Sequence, residues 1–178
     1  MLGRLALVPA LDRPDLLADP VVRALQAWAH ADQVEVAEID ADLADTAAFC
    51  AAYDVPPAAS ANCVVVAGKR GEDLRHAACV VLATTRADVN GVVRKRLDAR
   101  KASFAPREQT VDTTGMEFGG ITPVGLPTDW PVLIDGAVTT AGLVVVGSGL
   151  RRSKLVLPGD VLAALPGAEV LGGLAQPV

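Results

Sequence analysis

A chain of 178 residues suits one domain, spanning 1–178, that can bury roughly 70% of its unfolded surface. Hydrophobic residues make up 51% and charged residues 21%, which excludes intrinsic disorder, and no apolar run approaches the ~20 residues that a membrane-spanning helix needs. The net charge of −5 makes the chain a poor candidate for a sequence-independent binder of duplex DNA, local basic patches aside, and 3% aromatic residues are too few for a platform that stacks single strands.

The segment up to Pro9 is too short and too soon broken to read as a signal peptide, so a cytoplasmic location is expected. Asp19-Pro20-Val21 reads as a helix start, with aspartate at the cap and proline at the first helical position. Val21, Leu25, Trp28 and Ala29 then recur at helical spacing. Val34 to Ile39 alternates apolar and polar residues, as a strand does. Asp45-Thr46 opens a short helix through Tyr53, and Pro56-Pro57 ends that element. The apolar runs Cys63–Ala67 and Ala77–Ala83 flank the polar stretch Gly68 to Asp73, which predicts a hairpin of two buried strands. Asp88 caps a helix carrying Val92, Val93 and Leu97. A short strand follows around Ser103-Phe104, then a helical turn or two from Glu108 to Thr114.

From Gly115 to Pro127 the chain holds four glycines and two prolines, the texture of a shaped loop. Three more strands are predicted around Val132–Asp135, Leu143–Gly147 and Lys154–Leu157. Pro158-Gly159-Asp160 then opens a last short helix through Leu165. Helices and strands mix without regular alternation, which points to an α+β fold.

Most motifs of catalytic chemistry are missing. Lys69 follows Gly68, but Cys63 stands in the earlier glycine slot of a phosphate-binding loop and Arg70 follows the lysine. Gly147-Ser148-Gly149 follows a strand, but Arg152 fills the third glycine position of the dinucleotide fingerprint, and Val146 breaks a nucleophile elbow at Ser148. Cys50, Cys63 and Cys79 suit buried core thiols of a reduced protein, not a disulfide framework. His30 and His76 are too far apart for a zinc spacing, so no metal is expected. Asp40, Asp42 and Asp45 read as turn and cap residues.

Two features remain. Arg94, Lys95, Arg96, Arg100 and Lys101 form one dense basic run, either a solvated helix face or a binding surface for nucleic-acid phosphates. Arg151, Arg152 and Lys154 form a smaller basic set. The glycine loop is either a wide turn or a site where backbone N–H groups approach a ligand closely and stabilise an oxyanion.

The order Gly115, Gly119-Gly120-Ile121-Thr122-Pro123-Val124-Gly125, Val132-Leu133-Ile134-Asp135 and Val144-Val145-Val146-Gly147-Ser148-Gly149 resembles the YbaK/prolyl-tRNA-synthetase-associated domain family, over roughly residues 20–165. The resemblance implies an α+β fold with a mixed, barrel-like β-sheet flanked by helices. The activity it implies is hydrolysis, in trans, of the ester that joins a wrong amino acid to the terminal ribose of tRNA, with no metal or organic cofactor. Carried over residue by residue, it places substrate binding at Gly119, Gly120, Pro123, Gly125, Asp135, Gly147, Ser148 and Gly149. The implied partners are the aminoacylated acceptor end of tRNA and an aminoacyl-tRNA synthetase, without membrane or duplex DNA.

The chain departs from the family at one position. The family's lysine before the first hairpin strand is replaced by Asn62, within Ser60-Ala61-Asn62-Cys63-Val64. Lys69 lies seven strand residues away, about 23 Å, too far to replace it. Asn62 is then the candidate catalytic group, a neutral donor in place of a cation, and weak activity is expected. Two other readings use the same fold: a non-catalytic module for an aminoacyl or nucleotide-like ligand or a protein partner, and a hydrolase of another small ester.

Overall fold

The computed structural model describes residues 2–178. Its strands in chain order are β1 (Val8–Pro9), β2 (Glu35–Glu38), β3 (Ala61–Arg70), β4 (Asp73–Leu82), β5 (Thr85–Ala87), β6 (Lys101–Phe104), β7 (Val132–Asp135), β8 (Leu143–Gly147), β9 (Ser153–Pro158), β10 (Ala168–Leu171) and β11 (Ala175–Pro177). The α-helices are α1 (Asp19–Ala27), α2 (Thr46–Tyr53), α3 (Arg94–Arg96), α4 (Arg107–Thr114) and α5 (Gly136–Thr139).

The class is α+β with mixed pairing, as the sequence predicts. The strands form separate sheets and close no barrel among the described residues: one sheet runs β1-β2-β9-β8, a second β10-β7-β4-β3-β6, and β11 pairs with β5. Both large sheets turn one face inward. Val144, Val146, Leu155 and Leu157 of the first share a core with Val80, Leu82, Val132 and Ile134 of the second, joined by Val21 and Leu25 of α1. Strand alternation sends the intervening residues outward, and these faces are covered as well. Val145 and Val156 pack with Phe49 and Cys50 of α2, while Cys79, Val81 and Leu133 pack with Val93 and Leu97. Burial on both faces explains why these strands read as continuous apolar runs.

Local differences from the sequence reading have physical causes. Asp19 is the first residue of α1 and makes no capping bond; Ala18 precedes the helix and Pro20 takes its second position. The polar stretch 68–73 is mostly strand, because exposed polar residues pair as well as apolar ones at the end of a hairpin. Arg70 pairs with Asp73, leaving Gly71-Glu72 as the turn, with Gly71 at φ 59°. Asp88 does cap its helix, accepting from Gly91 N and Val92 N at 3.0 and 3.2 Å, but the first turn, Val89–Val93, is a π-helix.

The chain beyond Leu165 adds β10, parallel to β7, and β11, antiparallel to β5. Their short, Gly-rich surroundings carry too little periodicity to announce them.

Candidate functional site

The two large sheets touch at one rung, a parallel bridge between Ser60 and Val145. Beside it lies a cavity of about 340 Å³. Its walls are the turn Ala44–Thr46, the start of β3 at Ala61–Val64, the loop residues Phe118, Gly119 and Ile121, the end of β8 at Val145–Gly147, and Lys154 of β9.

Asn62 is in this wall. Its Oδ1 accepts a hydrogen bond from Thr46 Oγ1 at 2.7 Å, which fixes the amide against the first turn of α2 and leaves its N–H donors for other partners. Gly119 and Gly147 also line the cavity. Gly120 sits behind them: its carbonyl accepts from Gly149 N at 2.7 Å, and Gly149 O accepts from Glu117 N at 2.8 Å. A Cβ on Gly120 would lie 2.6–2.8 Å from the backbone of Leu150, and one on Gly147 would meet the backbone of Gly120 and Ile121. These glycines therefore let the loop lie backbone to backbone against the β8–β9 turn.

The other positions carried over from the resemblance lie elsewhere. Pro123 and Gly125 line a separate groove of about 220 Å³ with Trp28 and Leu165. Asp135 caps α5 through Ala137 N at 3.0 Å, and its other oxygen accepts from Ala175 N at 2.9 Å. Ser148 is buried, with its hydroxyl 2.7 Å from Ser153 Oγ and 3.1 Å from Leu150 O. Gly149 faces Ala18.

Of the basic run, Arg96 is held by Glu169, with Nη2 at 2.5 Å and Nε at 2.8 Å from the same carboxylate oxygen. Arg94, Arg100 and Lys101 share a shallow depression with Lys69, and Lys95 is exposed. Lys69 pairs with Lys101 across β3 and β6. This patch therefore sits at the far end of β3 from Asn62, about 23 Å along seven strand residues.

Lys154, which the sequence reading grouped only in a small basic set with Arg151 and Arg152, also lines the cavity. It sits opposite Gly147 in the sheet and shares a strand face with Val156, towards α2. Only 8% exposed, its ammonium donates to Ala44 O at 2.9 Å and lies 5.4 Å from the centre of the Phe49 ring. It makes no ion pair with a carboxylate among the described residues. Burial, followed by the charge of Arg151, lowers its pKa from the ordinary 10.5; Asp45 and Cys50 act in the opposite sense.

Arg151 bridges the cavity rim. It donates to Phe118 O and Ala41 O, both at 3.2 Å, and lies 3.8 Å from Asp45 Oδ1. The signal for Lys154 was present in the sequence, a lysine between Ser153 and the apolar run Leu155–Leu157, where a strand buried on both faces leaves no solvated side.

Cys63 also lines the cavity. Burial pushes its thiol pKa upward and that of Cys79 up to about 12, so both remain thiols near neutral pH and are poor nucleophiles. The titratable groups of the wall are thus Asp45, Cys63 and Lys154.

Residues 40–165 match the aminoacyl-tRNA editing domain. No curated protein matches significantly. Among solved structures, a candidate trans-editing enzyme for prolyl tRNA synthetase superposes with a TM-score of 0.73 at 23% identity, covering 87% of this chain and 94% of its own. A hypothetical protein, APE2540, gives 0.76 at 19%, covering 89% and 100%. A candidate signal transduction protein from Marinobacter aquaeolei VT8 gives 0.53 at 18%, covering 88% of this chain and 30% of that one. At these identities the likeness shows a shared fold.

Proposed function

Since this chain belongs to the aminoacyl-tRNA editing domain family, we propose that it hydrolyses misacylated tRNA in trans, as a single domain and without a metal or organic cofactor. The observation that carries this reading is the cavity at the sheet junction, which gathers Asn62, Gly119 and Gly147 from three distant stretches of chain. A space of about 340 Å³ suits an amino acid esterified to a ribose, at the small end of ordinary ligand pockets.

In the reaction, the oxygen of water adds to the acyl carbon and the bond from that carbon to the ribose oxygen breaks. One water proton passes to the ribose oxygen, the other to solvent, and a free amino acid and an uncharged tRNA leave. The chain supplies position and polarity. Asn62 offers amide donors, and the Gly119 and Gly147 segments bring backbone close to the bound ester.

The acceptor stem would extend towards Lys69, Arg94, Arg100 and Lys101. About 23 Å of strand spans several nucleotide steps of an RNA helix. Lys95 adds charge nearby, while Arg96 is engaged by Glu169.

The test is deacylation of a panel of charged tRNAs, with and without a chelator, beside a short aminoacyl-adenosine ester. At least one charged tRNA is expected to lose its amino acid faster than in buffer alone, equally fast with chelator, and faster than the short ester does. A folded protein that binds aminoacyl ligands but hydrolyses none would establish the binding module instead. Equal rates on tRNA and the short ester would make it a small-ester hydrolase.

A further inference from the structure

The wall of the cavity holds a cation that no ion pair accounts for. A lysine that is 8% exposed and lacks a carboxylate partner is an expensive residue to keep in a strand whose neighbours are apolar. One carbonyl, Ala44 O, occupies one of its three donors, and the Phe49 ring offsets part of the lost hydration. The ammonium belongs to the same cavity as Asn62, which holds no charge of its own.

We propose that Lys154 supplies from β9 the positive charge that Asn62 does not, and that its ammonium binds the carbonyl oxygen of the aminoacyl ester as negative charge develops there. The assignment rests on the hydrolase reading above. When water adds to the acyl carbon, the carbonyl electron pair moves to oxygen; when the bond to the ribose oxygen breaks, the pair returns. Lys154 stabilises the oxyanion in between and stays protonated throughout. A preorganised donor that is itself mostly buried, as Lys154 is, acts more strongly than one in solution. Arg151 and Asp45, with opposite charges at the rim, set the field around it, with the Cys50 thiol and the Phe49 ring on the α2 side.

The experiment compares wild type, Lys154→Met, Lys154→Arg and the double variant Asn62→Lys/Lys154→Met. All are checked for folding by thermal melting and assayed on the charged tRNA that wild type hydrolyses best. Removing such a donor typically costs about 100- to 1,000-fold, and Lys154→Met is expected to lose that much in kcat. Binding of a non-hydrolysable aminoacyl-adenosine amide should change far less. The double variant is expected to recover at least tenfold over Lys154→Met, because the cation returns from the other sheet.

The wild-type rate above the buffer background should fall at alkaline pH, with its midpoint below the ordinary lysine value. That alkaline limb should vanish in Lys154→Arg. A folded Lys154→Met protein that keeps the wild-type kcat overturns the lysine assignment alone. A wild type inactive on every charged tRNA overturns the hydrolase reading, and the assignment with it.

Discussion

Lys154 sets function against stability at a single position. Its pKa is lowered in the folded protein, so between that value and 10.5 the unfolded chain binds more protons, and stability rises with pH across that window. The unfavourable contribution is fully present below the folded value, hence at neutral pH. Lys154→Met removes it. Ala44 O is left without this donor, but it borders a cavity that water can enter, so the desolvation of the ammonium is the larger cost avoided. The variant is therefore expected to melt higher than wild type at pH 7, by about 2–4 °C for each kcal/mol gained. The advantage should shrink as the pH approaches 10.5. Melting curves at a series of pH values check it, and a lower melting temperature at pH 7 would show that the ammonium holds the Ala44 turn in place.

Among the elements, the glycine loop shows how far a motif can be read. Its position, its lack of regular structure and its neighbours β7 and β8 were all legible, because glycine and proline spacing is a local property. What the glycines face was not, because that depends on the β8–β9 turn some thirty residues later. Gly120 meets the backbone of Leu150, and Gly147 meets that of Gly120.

Gly120→Ala is accordingly expected to destabilise the protein by about 1–3 kcal/mol, as overpacking does, since backbone cannot step aside as a side chain can. Chemical denaturation measures this, and an unchanged midpoint would mean that the loop has room to move. The hairpin, α2 and the Asp88 cap were legible for the same local reason. Lys154 was grouped by charge with Arg151 and Arg152; the apolar run after it hinted at a buried strand, but that α2 covers this face is a long-range fact.

Over the whole molecule, charge is distributed unevenly. A chain of net charge −5 gathers Lys69, Arg94, Arg100 and Lys101 at one end of β3, with the cavity at the other. Binding of tRNA should therefore weaken as salt rises. Arg94→Gln with Arg100→Gln should flatten the plot of log affinity against log salt by about 0.7–0.9 for each phosphate that is no longer neutralised. Arg96→Gln should flatten it little, because Glu169 already neutralises that guanidinium. Filter binding at several salt concentrations distinguishes these cases, and equal slopes in all variants would leave the basic run as a solvated surface.

The Ser60–Val145 rung has a consequence for how such proteins diverge. Because the cavity lies where two sheets meet, either sheet can deliver a charged group to it without any backbone moving. A chemical role can then migrate from β3 to β9 while every strand stays in place. If Lys154 acts as proposed, an alignment read column by column would see only Asn62 and overlook Lys154, classing the chain among relatives without a cation in the cavity. On that assignment, the contents of the shared cavity describe this chain's site better than the identity of any one column.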